Sequence, residues 1–166
     1  MASKKLVDIG CGYYAITSRP YLDQVHTAYL ADLALAPDLL ANPVVKPLIG
    51  ELPGTLAQIP DQDVDVIFCL NIHEHVDEPE LLLRECRRIL RPGGAFFITV
   101  PSWPGKVALE FSAFRLNDGR EEMEDHKRYY TKRDLWLAVR AAGFLPSGIK
   151  IRRAKFGLSI FGVAKG

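Results

Sequence analysis

Apolar and polar residues fall into blocks along this chain, and most blocks have the length of one secondary-structure element. Residues 6–9 are apolar and run into Gly10-Cys11-Gly12, the pattern of a buried strand ending in a turn. Residues 26–30 make a second such strand, which ends at Asp32. Residues 36–41, bracketed by Pro37 and Pro43, predict a short helix, and 44–49 a weaker third strand. Val64–Leu70 is almost continuously apolar, as a central parallel strand buried on both faces should be. Apolar residues at 81, 82, 83, 86, 89 and 90 follow helical spacing and predict an amphipathic helix over 80–90, stopped by Pro92-Gly93-Gly94. Residues 95–100 predict the next buried strand. Residues 131–142 predict a helix with Thr131 as N-cap, Asp134 at N3 and Gly143 at its end. Two strands, 148–155 and 157–164, meet near Gly157.

Alternating strands and helices imply an α/β fold with a parallel sheet and right-handed crossovers. The last two strands differ, because so short a link demands antiparallel pairing. At 166 residues, with 48% hydrophobic and 25% charged, the chain reads as one domain over 1–166 with a sizeable core. No apolar run is long enough to span a bilayer, and the N-terminus carries no signal-peptide pattern. The three cysteines, Cys11, Cys69 and Cys86, lack metal or disulfide spacing and suit reduced thiols in a cytoplasmic protein. The net charge of +1 hides an asymmetry: from Lys127 onward there are ten Lys/Arg and one acid, Asp134. This reads either as a solvated face or as attraction for an anionic substrate. The absence of an aromatic–basic RNA-binding motif points away from nucleic acid.

Gly10-Cys11-Gly12-Tyr13-Tyr14-Ala15 fits the dinucleotide-binding pattern formally, and Asp32 stands where a carboxylate would reach ribose hydroxyls. The competing reading of Asp32 is a helix N-cap. Two features oppose NAD. Pro20 interrupts the helix whose N–H groups a pyrophosphate needs. Asp8, at the mouth of the strand, would repel phosphate and suit a cationic ligand.

Four segments together carry a resemblance. They are Leu6-Val-Asp-Ile-Gly-Cys-Gly12, Asp65-Val-Ile-Phe-Cys-Leu-Asn-Ile-His-Glu-His-Val76, Arg88-Ile-Leu-Arg-Pro-Gly-Gly94, and His126-Lys-Arg-Tyr-Tyr-Thr131 through Ala142-Gly-Phe144. In this order they resemble the class I (Rossmann-like) S-adenosylmethionine (SAM)-dependent methyltransferases, small-molecule subgroup, over nearly the whole chain. The resemblance implies a three-layer sandwich with a mostly parallel seven-stranded sheet, order 3-2-1-4-5-7-6, and strand 7 antiparallel. It implies SAM as cofactor. Asp8, Gly10, Cys11 and Gly12 would surround its methionine part and Asp32 its ribose. Glu51 and Leu52 would meet adenine, and Cys69 and Leu70 would offer backbone groups. The helices that usually precede the first strand are expected to be missing, which would leave a sheet face open to self-association.

Methyl transfer from a sulfonium is an in-line displacement and rests mainly on positioning, so no catalytic motif is required. A base is needed only for a hydroxyl or protonated amine acceptor. His126 and His73 are the candidates. His126 belongs to the irregular stretch 101–130, whose aromatics read either as a substrate lid or as loop packing. His73 reads either as pocket-facing or as a solvated or core histidine. His73-Glu74-His75 lacks the spacing of a metal site, and no metal is expected. The competing function is a non-catalytic SAM-fold protein that binds a ligand or partner.

Overall fold

The computed structural model describes residues 4–102, 130–154 and 157–166. Seven strands form one sheet in the order β3-β2-β1-β4-β5-β7-β6. They are β1 Lys5–Ile9, β2 Thr27–Asp32, β3 Val45–Ile49, β4 Val64–Leu70, β5 Leu90–Pro101, β6 Lys150–Ala154 and β7 Ser159–Lys165. The first five run parallel, and β7 is antiparallel to both β5 and β6. The sheet order and the antiparallel last strand agree with the expectation.

Three α-helices are described: α1 Pro37–Leu40, α2 Pro79–Ile89 and α3 Lys132–Ala141. α2 buries Leu82, Leu83, Cys86 and Ile89, the stripe its spacing predicted. α3 starts with a full capping box: Thr131 accepts from the Asp134 amide, and Asp134 accepts from the Thr131 amide. Phe144, just beyond α3, stacks on Phe96 of β5 at 5.2 Å between ring centroids. The sheet's two faces therefore differ. Phe96, Ile98 and Val100 are buried under the helices, while Phe97 and Thr99, which alternate with them, are half-buried. On that second face Tyr21, Phe68, Phe97 and Phe161 form a row of ring contacts across three strands.

One local expectation needs correction, and the interruption expected at Pro20 is seen. Pro92-Gly93-Gly94 does not close a helix with a separate strand after it. β5 already pairs at Leu90 with Val64, then a register shift absorbs the glycines before Ala95 meets Val66. After Gly12 there is no α-helix: Pro20 lies at the start of a 3-10 turn, Arg19–Gln24, which replaces the first crossover helix. A proline costs nothing at a helix start, where its missing N–H would be unpaired anyway.

Candidate functional site

At the carboxyl end of β1 the chain must turn at once. Gly10 adopts φ +67°, and a Cβ there would lie 2.5 Å from the Ile72 side chain. Glycine is required twice over, by the backbone angle and by the close approach of the loop after β4. The Gly10 amide donates to the carbonyl of Ala31 at the end of β2 (2.8 Å). Gly12, at φ +72°, has no atom within 4 Å of its would-be Cβ, so it faces open space.

Asp32 closes β2. Its Oδ2 accepts from the Gly12 amide (2.7 Å) and its Oδ1 from the Leu33 amide (2.7 Å). The carboxylate thus ties the glycine turn to the next strand, and each oxygen keeps a further lone pair. A cavity of about 250 Å³ lies between these turns. Gly10, Asp32, Glu51 and Leu52 line it, together with Ile72 and His75 from the loop after β4.

The other expected residues that are described do not line this cavity. Asp8 is buried behind the turn, and its Oδ2 has no hydrogen-bond partner among the described residues. Burial pushes its carboxyl up to about 6; a hydrogen bond from Ser18 opposes this, and the charge of Asp32 adds to it. Cys11 is half-buried, and desolvation with the charges of Asp8 and Asp32 raises its thiol to about 12, so it is no nucleophile at neutral pH. Cys69 is fully buried and Leu70 half-buried on β4. His73 is buried, with its ring 5.2 Å from that of Tyr130. Glu74 beside it is also buried, and desolvation raises its carboxyl to about 7. His126 and the aromatics of the expected lid up to Tyr129 lie outside the described residues.

Sequence reasoning missed the wall built from Ile72 and from His75-Val76-Asp77. The signal was an Asn directly after a nearly continuous apolar strand, a residue tolerant of left-handed backbone: Asn71 takes φ +53° at this turn. It also missed the anchor of the Glu51–Leu52 side. Arg88 of α2 donates to the carbonyls of Leu56 (3.0 Å) and Ile59 (2.8 Å) and pairs with Glu85 and Asp61. It thereby pins the 3-10 turn Gly54–Gln58 that follows the cavity wall.

Comparison with known proteins agrees with this geometry. A family model described as "Methyltransferase domain" matches residues 7–98, more than half of the chain. A ubiquinone biosynthesis O-methyltransferase of Pseudomonas syringae pv. tomato is 30% identical over 154 residues, covering 86% of this chain and 65% of that one. The chain thus spans slightly less than two thirds of that relative. Among solved structures, a SAM-dependent methyltransferase from Archaeoglobus fulgidus superposes with a TM-score of 0.71 at 14% identity, covering 99% of this chain and 87% of that one. The [4+2]-cyclase SpnF shares the fold at a TM-score of 0.66 and 19% identity, covering 94% of this chain and 56% of that one. The sheet order, the glycine turn tied to Asp32 and the matched model lead to one assignment: the chain belongs to the class I, SAM-dependent methyltransferase-domain family.

Proposed function

We propose that the chain transfers a methyl group from SAM to a small-molecule acceptor by in-line displacement. The observation that carries this is the cavity bounded by Gly10, Asp32 and the Glu51–Leu52 segment, with the buried, unpartnered Asp8 oxygen behind it. A buried carboxylate oxygen lacking a partner suits a ligand that brings positive charge. The 3-10 turn after Gly12 offers no α-helix terminus for a pyrophosphate.

SAM, when bound, supplies a methyl group already activated on a sulfonium. The chain's part is to bind and orient. The free lone pairs of Asp32 would accept from the ribose hydroxyls. Asp8 would face the ammonium side, and Gly10 and Gly12 would leave room for the methionine part beside Cys11. Glu51 and Leu52 would border adenine, and backbone groups of Cys69 and Leu70 would complete the methionine side. His126 is the candidate base for a hydroxyl acceptor, since histidine titrates near neutral pH. His73, buried against Tyr130, would position the loop instead of moving a proton.

Titration calorimetry tests the reading: SAM should bind, and NAD should not. NAD binding tighter than SAM would overturn it. Radiolabelled methyl transfer separates catalysis from the alternative, a non-catalytic binding protein. His126→Ala should lower turnover about 100-fold or more with SAM affinity unchanged. Unchanged turnover on a confirmed substrate removes His126 from the mechanism. Three free cysteines support a reducing, cytoplasmic setting. The half-buried aromatic row supports self-association, and a monomer by light scattering at tens of micromolar would exclude it.

A further inference from the structure

A second cavity, of about 280 Å³, opens at the other end of the same sheet edge. Ser102 at the end of β5 and Ile160 at the start of β7 form its floor, and Tyr130 its side wall. Three cations line it from two elements: Lys132 and Arg133 in the first turn of α3, and Arg153 of β6. No acid lines it among the described residues. None of the three cations forms an ion pair with another of the described residues. Asp134, the neighbouring acid, is held by the capping box: its Oδ2 accepts from the Thr131 amide (2.9 Å) and hydroxyl (2.7 Å). The charge of Arg133 contributes to lowering the Asp134 carboxyl, behind those two bonds. The Ser102 hydroxyl donates to the Gly157 carbonyl (2.5 Å), which ties the floor to the β6–β7 connection.

Three like charges gathered at one concave site repel one another and raise the local concentration of an anion. Arginine adds a fork of N–H donors that fits carboxylate and phosphate oxygens. The two cavities share no lining residue, but one ring contact relates their walls. Tyr130 packs on His73, and His75, two residues on, lines the first cavity. A molecule anchored by its anionic group between Arg133 and Arg153 would extend along the carboxyl edge toward the Gly10–Asp32 cavity.

We propose that this cavity is an anion subsite holding a carboxylate or phosphate group of the methyl acceptor, an assignment that rests on the methyltransferase reading above. The acceptor class is then a small acid with a nucleophilic group at its other end.

The test is titration calorimetry of the full chain with 3,4-dihydroxybenzoate, catechol and inorganic phosphate as probes. The dihydroxybenzoate should bind about tenfold more tightly than catechol, the effect of one charge-assisted contact. The double variant Arg133→Gln/Arg153→Gln should lose that preference and keep its affinity for SAM. Both side chains are exposed, so the variant should fold, and a thermal melt checks this. Equal binding of dihydroxybenzoate and catechol, or a preference that survives in the double variant, would overturn the subsite. Phosphate binding without any preference for the carboxylated catechol would show a free-anion site and overturn the acceptor assignment. Failure of SAM to bind wild type, with the anion preference intact, would sink the methyltransferase reading and leave the anion site standing.

Discussion

The two ends of the sheet's carboxyl edge carry opposite charge. Around the β1–β2 end stand Asp8, Asp32, Glu51 and Asp77; around the β5–β7 end stand Lys132, Arg133 and Arg153. The two sets are also held differently. The acidic end is built from backbone turns: Asp32 is bonded to two amides and Gly10 is pressed against Ile72. The basic end is built from long, exposed side chains on a helix start and a strand. A rigid end suits one invariant ligand, and a flexible end suits a ligand that varies, because changing exposed side chains costs little stability. The formal net charge of +1 conceals this division entirely.

The largest effect expected on the rigid end comes from Gly10→Ala. The new methyl would overlap Ile72 in a backbone angle hostile to any side chain, costing about 2–4 kcal/mol of stability. Chemical denaturation reads this directly, and a loss under 1 kcal/mol would mean that Ile72 yields. Gly12→Val makes the sharper contrast. Nothing crowds that position, so SAM affinity should fall well beyond the stability loss.

Next comes Asp8. Its carboxyl is raised when folded, so the folded chain holds the proton more tightly than the unfolded one. From about pH 4 to about 6 the free protein therefore loses stability as pH rises, and the contribution of Asp8 is fully lost above that range. Glu74 extends the same trend to about pH 7. Asp8→Asn should recover up to about 3 kcal/mol at pH 8 and almost nothing at pH 4, while weakening SAM binding. Equal melting shifts at both pH values would show that Asp8 is not buried as a charge.

Asp32→Ala should weaken SAM binding by about 1–3 kcal/mol, partly through the amides of Gly12 and Leu33 that it leaves unpaired. Affinity for 3,4-dihydroxybenzoate should stay unchanged, since Asp32 does not line the basic cavity. A parallel loss of both affinities would mean that the two ends are not separate. The smallest effect is expected from Lys132→Gln. A lysine lacks the planar fork, so its removal should lower dihydroxybenzoate affinity only about twofold to threefold by calorimetry.

The parts of the fold legible in the sequence were those set by burial pattern alone. Val64–Leu70 shows as a strand because nearly all its residues are apolar, toward both the buried and the half-buried face, and α2 because its stripe faces the sheet. The start of β5 misled, since Pro92-Gly93-Gly94 reads as a stop while the pairing simply resumes past it. The 3-10 turns at 19–24 and 54–58 have no periodicity to detect. Of the residues that line the first cavity, Gly10 and Asp32 stand out in the sequence by their spacing, and Glu51 and Leu52 only through the family resemblance. Ile72 and His75 were not, because a loop residue joins a cavity only through the tertiary fold. The internal duty of Asp32, bonding two amides, was likewise invisible, as was the convergence of Arg133 and Arg153 from positions twenty residues apart.

Ile72 and His73 are neighbours in the chain, yet they rest on opposite sides: Ile72 beside Gly10, His73 against Tyr130. The loop they share lines the first chamber through Ile72 and touches the wall of the second through the His73–Tyr130 contact. Occupants of two such chambers are bound by thermodynamic reciprocity. By whatever factor filling the first chamber changes affinity in the second, filling the second changes affinity in the first by the same factor. Enzyme chemists could therefore measure the coupling from whichever side offers the more convenient ligand.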